Sequence, residues 1–212
     1  MELKPGMSLN EIREYLQRNL KESIRNDIWP IVQAGVPEGG YFGVPRSVLS
    51  YVDFLGALYA GYSGEKDRSG RRKIATPDKA VRFIREILKE VDDLYARNGV
   101  LLYEMYRHGT VHRYEPHQLR RSDGRVLSWL PYKGSREDWV NVPHALKVRH
   151  LQPVSRGENS DWLPVSITCL YDDLVLALDV FWEKLQRDPK LVANWHSASA
   201  ALCEPEDTKG SW

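Results

Sequence analysis

The chain has 212 residues, 42% of them hydrophobic, and a formal net charge of +1. This composition excludes a disordered chain, because enough apolar surface is present to offset the entropy of folding. The near-zero charge excludes a general attraction for nucleic acid, so any surface of that kind must be local.

No apolar run reaches the roughly 18 to 20 residues that a membrane span needs, and the first eight residues lack the apolar core of a secretory signal. We therefore expect a cytoplasmic protein without a membrane partner. The length fits one domain, predicted at 1–202 and followed by a flexible acidic tail at 203–212. Cys169 and Cys203 have no metal-ligand spacing and are expected to be free thiols.

Four helices are predicted before residue 113. The first covers 8–28, opens with a Ser-x-x-Glu capping box and is expected to stop near Trp29-Pro30. The second is expected to begin at 45–47, and the third at 76–78, where Thr-Pro-Asp is typical of a helix start. The fourth is expected at about 93–112, with apolar residues around much of its circumference.

Asp53 is the one carboxylate in the apolar second helix. Two interpretations are open. The side chain is either exposed or bonded locally, or it is the partner of a cation at a functional site.

The pattern changes between about 117 and 170, where short aromatic and β-branched stretches follow an Asp123-Gly124 turn signal. We expect a small antiparallel sheet of two to four strands, inserted before a last long helix at 171–188. The predicted fold class is mainly α, in the α+β class, with a helical bundle and a β insertion.

The stretch LLYEMYRHGTVHRYEPHQLRR, residues 101–121, carries Arg107, His108 and His112 at the end of the fourth helix. The simplest interpretation is a helix terminus with cations that the macrodipole favours. A second is a metal-dependent hydrolase, because Glu104, His108 and His112 would form one stripe at i, i+4 and i+8. Gly109 weakens the helix inside such a site.

A third interpretation is a phosphate site formed by Arg107 and His112. On an ideal α-helix these two positions point roughly 140° apart, so the helix must loosen near Gly109 or two copies must combine across a dimer axis. Arg holds a phosphate oxygen with fixed charge, and His moves protons near neutral pH. Such a set suits RNA cleavage without a metal.

The segment Arg107-His108-Gly109-Thr110-Val111-His112 resembles the R-x4-H motif of the HEPN superfamily, in which the residue after the Arg is typically polar. The family fold is an α-helical bundle with the motif late in a core helix, as LLYEMYRHGTVH is placed here. The wider resemblance covers the helix pattern of about 8–116 and the final helix, whereas 117–168 departs from a minimal bundle.

The resemblance implies an HEPN-like antiparallel helical bundle and a homodimer whose motifs converge in a cleft. It implies a metal-independent endoribonuclease, as in toxin–antitoxin and phage-defence systems, or a related module without activity that binds protein or RNA. Carried over by position, Arg107 binds phosphate, His112 is the general acid/base and His108 orients or assists. No metal or other cofactor is expected; the implied partners are RNA and an antitoxin or other protein.

Residues after the motif are candidates for RNA binding. Cations can follow the backbone and an aromatic ring can stack on a base; the candidates are Arg113, Tyr114, His117, Arg120 and Arg121. The alternative is that these charges only solvate a loop. In the inactive-module hypothesis, aromatic residues of the insertion meet a protein partner instead; these are Trp129, Tyr132, Trp139 and Trp162.

Overall fold

The computed structural model describes residues 2–34, 39–63, 77–108, 115–136, 140–142 and 146–205. Helices dominate this part of the chain. They are α1 (Leu9–Glu14), α2 (Lys21–Gln33), α3 (Gly43–Ala60), α4 (Pro77–Phe83), α5 (Lys89–Val91), α6 (Leu94–Tyr103), α7 (Ile167–Arg187) and α8 (Pro189–Cys203). Three π-helical segments extend them: Tyr15–Leu20 joins α1 to α2, Ile84–Leu88 joins α4 to α5, and Glu104–His108 follows α6.

The first helix begins as predicted and ends later than predicted. Ser8 and Glu11 form the capping box, but the helix continues through Pro30 to Gln33. A proline removes one intrahelical hydrogen bond. Ile28 and Val32 are both buried one turn apart, and burying this pair favours one further turn over a stop at the proline.

Helix α3 occupies the centre of the helical layer. It begins at Gly43, with Pro45 in its first turn as expected, and ends before Gly61, whose φ of 74° is left-handed. The helix packs against α2, α4, α7 and α8. This position places Asp53, midway along α3, inside the protein.

The β insertion contains a mixed sheet, so the predicted antiparallel sheet is wrong for its central pair. The strands are β1 (Leu119–Arg120), β2 (Val126–Tyr132), β3 (Val140–Val142), β4 (Leu146–Val148), β5 (Val154–Ser155) and β6 (Ser160–Ser166). The four-stranded sheet has the order β1-β2-β6-β5, and β3 and β4 form a separate two-stranded sheet. Strands β2 and β6 run parallel, and the chain between them is longer than the roughly dozen residues that a parallel crossover needs.

The last long helix starts four residues earlier than predicted, so the insertion ends at Ser166 rather than at about 170. Ser166 accepts a hydrogen bond from the Cys169 backbone N–H and caps α7. The β-branched run before Tyr171 therefore divides between β6 and the first turn of α7. A separate helix, α8, follows Asp188 and reaches Cys203, one residue beyond the predicted domain end.

Buried residues of the helices and of strands β2 and β6 form one hydrophobic cluster. The structure is therefore a mixed α and β architecture in which helices predominate, in agreement with the predicted class. In the part of the chain that the structure describes, no helix combines the length and the apolarity needed to cross a membrane.

Candidate active site

Arg107 lies in the π-helical segment Glu104–His108, which continues α6 and forms the motif helix with it, and is held there by a buried carboxylate. Its Nε donates to Asp53 Oδ2 at 2.5 Å, and Tyr103 Oη donates to Asp53 Oδ1 at 2.6 Å. The Asp53 side chain is 9% exposed and that of Arg107 is 26% exposed. Asp53 is therefore the partner of a cation, Arg107, whereas the functional role of that cation stays a prediction.

The hydrogen bonds fix the direction of the guanidinium group. Burial, and then the adjacent Asp53 carboxylate, raise the pKa of Tyr103, so the phenol stays protonated and donates to Asp53. Arg107 contacts the carboxylate through Nε, and its Nη groups form no ion pair with any other described carboxylate. An arginine oriented in this way can present those groups to an anionic oxygen.

The helix winding around Arg107 differs from an ideal α-helix. Residues Glu104–His108 are π-helical. In a π-helix the backbone carbonyl of residue i accepts a hydrogen bond from the N–H of residue i+5. In the described part of the motif helix, residues five positions apart therefore point more nearly in the same direction than they do in an ideal α-helix. π-Helical segments also occur at Tyr15–Leu20 and Ile84–Leu88, so the winding alone does not identify a site.

The chain returns to the motif helix after the motif. The His117 N–H donates to the Met105 carbonyl at 3.0 Å, and Trp129 Nε1 donates to the Pro116 carbonyl at 2.9 Å. A small cleft of about 360 Å³ lies here, lined by residues 115–118. His117, a predicted RNA-binding residue, is thus half-buried beside the motif helix.

The other downstream candidates lie apart from this contact or outside the described residues. Arg121 pairs with Asp161 at 3.0 Å and with Asp123 at 3.7 Å, so it contributes to the sheet edge. Arg120 is exposed and donates to the Gly124 carbonyl at 3.3 Å. The residues outside the description are His112, Arg113 and Tyr114. His108 is described only through its backbone.

The metal stripe of the alternative hydrolase interpretation cannot be assembled from the residues that the structure describes. Glu104 is exposed, and the remaining two positions, His108 and His112, lack described side chains. Across the described ranges, no group of three His, Cys, Asp or Glu residues is arranged to hold a metal ion.

No family model, curated protein or solved structure matches the chain. A functional assignment therefore depends on the chemistry of the residues themselves.

A buried ionic network, which the sequence patterns did not predict, lies between the insertion and the helices. Arg136 forms ion pairs with Asp92 and with Asp173, and Tyr95 Oη donates to Asp173 Oδ2 at 2.8 Å. Asp173 is fully buried. Its position between Leu170 and Leu174 on the apolar stripe of α7 was the available signal, because a carboxylate on such a stripe needs a partner.

His150 extends the network in its neutral form. Its Nδ1 accepts from the Ser166 backbone N–H at 3.0 Å, so the ring proton lies on Nε2. Nε2 is 3.3 Å from Tyr95 Oη, which already donates to Asp173. Burial, and then the Arg136 charge, lower the pKa of His150 to about 3. The network therefore joins α6, α7 and the insertion while this histidine stays uncharged.

The neutral state of His150 predicts a loss of stability in acid. Between pH 6.5 and about pH 3, the unfolded chain binds a proton on His150 that the folded chain does not bind, so the free energy of unfolding falls as pH falls. The expected contribution is about 2 kcal/mol between pH 7 and pH 5, because one pKa unit corresponds to about 1.4 kcal/mol. Urea unfolding of the wild type and of His150→Gln at both pH values measures it. An equally steep pH dependence in the variant would contradict the assignment.

Removing Arg107 alone is expected to destabilise the fold more than removing the whole pair. Arg107→Ala leaves the Asp53 carboxylate buried and unpaired, which costs about 3–5 kcal/mol for a fully buried pair; the partial exposure of Arg107 places the expected loss at the lower end. In the double variant Asp53→Asn/Arg107→Gln, no charge is buried and Tyr103 keeps an acceptor. Urea denaturation should therefore give a smaller loss for the double variant. A double variant that is the less stable of the two would show that the Asp53 charge is not what the Arg compensates.

Proposed function

We propose that the protein is an HEPN-like, metal-independent endoribonuclease that cleaves RNA by attack of a 2′-hydroxyl group in a cleft between two copies of the chain. The observation that carries the proposal is the fixed Arg107 guanidinium. It is held by Asp53 and Tyr103 at a partly exposed helix end, immediately before the segment that contains His112.

Each residue has a distinct part in the proposed reaction. Arg107 binds a non-bridging phosphate oxygen through its Nη groups and stabilises the charge that develops there. His112 transfers protons, and His108 orients the substrate or His112. The 2′-oxygen loses its proton and forms a bond to phosphorus, while the bond from phosphorus to the 5′-oxygen breaks and that oxygen receives a proton. The products are a 2′,3′-cyclic phosphate and a 5′-hydroxyl end.

Proton balance favours two copies in one site. The reaction needs one neutral imidazole as base and one protonated imidazole as acid. A symmetric dimer supplies two copies of His112 and of Arg107 at its axis.

Cleavage of labelled RNA in excess EDTA, measured over a range of protein concentrations, tests this proposal. We expect activity without metal and a specific activity that falls on dilution in step with the dimer fraction from mass photometry. Full specific activity at concentrations where the chain is monomeric would overturn the dimer cleft. Activity that requires an added divalent metal would overturn the mechanism.

The inactive-module alternative finds less support in the insertion. Tyr132 and Trp162 are 4% and 8% exposed, and Trp129 packs edge-on against Phe42 while its Nε1 is bonded to Pro116. Three of the four aromatic residues assigned to a partner surface are thus used inside the protein, and Trp139 lies outside the described residues. The antitoxin or other protein partner and the cytoplasmic location stay predictions.

A further inference from the structure

A second cleft lies between the first helix and α3, away from the ionic network. Its volume is about 520 Å³, within the range of roughly 300–1,000 Å³ that is typical of small-molecule sites. One wall consists of residues of Tyr15–Leu20 and of α2, and the other wall consists of one face of α3. The cleft therefore opens on the same helix that carries Asp53.

The cleft presents aromatic rings beside a carboxylate. Tyr51 and Phe54 are half-buried along the α3 wall, with Tyr15 buried below them. Tyr51 Oη donates to Asp27 Oδ2 at 2.5 Å, which fixes both side chains. Burial, and then this carboxylate, raise the pKa of Tyr51, so its proton is retained. Asp27 Oδ1 accepts no hydrogen bond from any described residue and can accept one from a ligand.

The cleft also contains an exposed cation. Arg46 lines the α3 wall beside Ser47, and within the described ranges the Arg46 guanidinium forms no ion pair with any carboxylate. Its charge is thus not neutralised as that of Arg107 is. A guanidinium group beside a hydroxyl group can bind a phosphate, and the aromatic cleft next to it can stack on a flat ring that a sugar links to that phosphate.

Helical spacing connects this cation to the proposed catalytic site. Arg46 and Asp53 are seven residues apart, which is close to two turns, so they lie on the same side of α3 at a separation of roughly 10 Å along its axis. Asp53 in turn holds Arg107. The two arginines are therefore both connected to one side of α3, Arg46 directly and Arg107 through Asp53.

We infer that this cleft binds a nucleotide, with the base against Phe54 and Tyr51, an exocyclic amino group on Asp27 and the phosphate on Arg46. The inference rests on the proposed function, in which the nucleotide belongs to the RNA strand that Arg107 and His112 cleave. A free mononucleotide has the same chemistry and is the other source that the experiment distinguishes.

The test measures binding without cleavage. A fluorescein-labelled RNA hexamer with 2′-O-methyl groups, which cannot attack phosphorus, is titrated by fluorescence anisotropy, and adenosine 5′-monophosphate is titrated by calorimetry. The variants are Arg46→Gln, at an exposed position, and Phe54→Leu, which keeps an apolar side chain but removes the ring. Arg187→Gln, on the exposed end of α7 with an 80% exposed side chain, is the matched control.

We expect each cleft variant to raise the Kd for the hexamer about tenfold, the effect typical of losing one stacked base or one phosphate contact, with no change in the control. A loss of mononucleotide binding in the same variants, with hexamer affinity unchanged, assigns the cleft to a free nucleotide. Unchanged affinity for both probes in either folded variant overturns the inference and leaves the nuclease proposal intact. Cleft-dependent binding without any cleavage of unmodified RNA contradicts the nuclease instead.

Discussion

Replacing His112 by Ala is expected to lower the rate of RNA cleavage by at least about 100-fold, the lower bound for losing a general acid/base. The loss should appear in the turnover rate at saturating RNA rather than in affinity, because the imidazole moves protons and Arg107 supplies the phosphate contact. Single-turnover cleavage of a labelled RNA, together with anisotropy titration of the non-cleavable hexamer, separates the two quantities. In the proposed dimer, His112 of one copy is the acid and His112 of the other copy is the base. The substitution therefore removes both groups at once.

Two other histidines serve as controls. His196 lies on α8 and belongs to no part of the proposed site, so His196→Ala should retain wild-type activity. His117 is a predicted RNA-binding residue whose half-buried side chain lies beside the motif helix, so His117→Ala should change affinity more than turnover. Wild-type turnover in His112→Ala, or an equal loss in His196→Ala, would remove His112 from the reaction.

Replacing Arg136 by Ala is expected to lower the free energy of unfolding by about 3–5 kcal/mol, a large fraction of the stability of a typical domain. The change leaves Asp173, which is fully buried, without its cation, and also removes the partner of Asp92. Tyr95 alone cannot compensate the Asp173 charge. Urea unfolding followed by circular dichroism measures the loss.

A second variant separates the buried charge from lost packing. In Arg136→Ala/Asp173→Asn, the amide keeps its bond from Tyr95 and no longer carries a charge, so about half of the lost stability should return. If the double variant were no more stable than the single one, the cost would come from packing of the Arg136 side chain and the ionic network would not be what joins the insertion to α7.

Local signals in the sequence were sufficient for the starts of the first helix and of α3. The capping box at Ser8 and Glu11 and the proline in the first turn of α3 both act within one turn of helix, and both predictions are confirmed. The end of the first helix was predicted too early, because the buried pair Ile28 and Val32 outweighs the proline at position 30.

The sheet depended on contacts that the sequence pattern does not contain. A turn such as Asp123-Gly124 predicts the antiparallel pair β1 and β2, and these strands do pair so. The parallel pairing of β2 with β6 joins segments separated by the rest of the insertion, and no local rule specifies it. Ser166 ends β6 and caps α7. The β-branched residues on both sides of Ser166 are typical of a strand, so the sequence pattern does not indicate the start of a helix there.

The site was predicted in part. The sequence offered Asp53 as the partner of a cation without identifying that cation, which is 54 positions away. Tyr103 was not predicted as a component, because the carboxylate to which its hydroxyl group donates is 50 positions away in the chain. The network around Asp173 was missed for the same reason: its members come from α6, α7 and the insertion, and only the folded chain brings them together.

The chemistry of the RNA ends formed in excess EDTA tests the proposed nuclease most directly. Attack by the 2′-hydroxyl group predicts a 2′,3′-cyclic phosphate on one fragment and a 5′-hydroxyl group on the other, both identified by mass spectrometry and both absent with His112→Ala. Fragments with a 5′-phosphate, or no cleavage at any protein concentration, would contradict the proposed roles of Arg107 and His112.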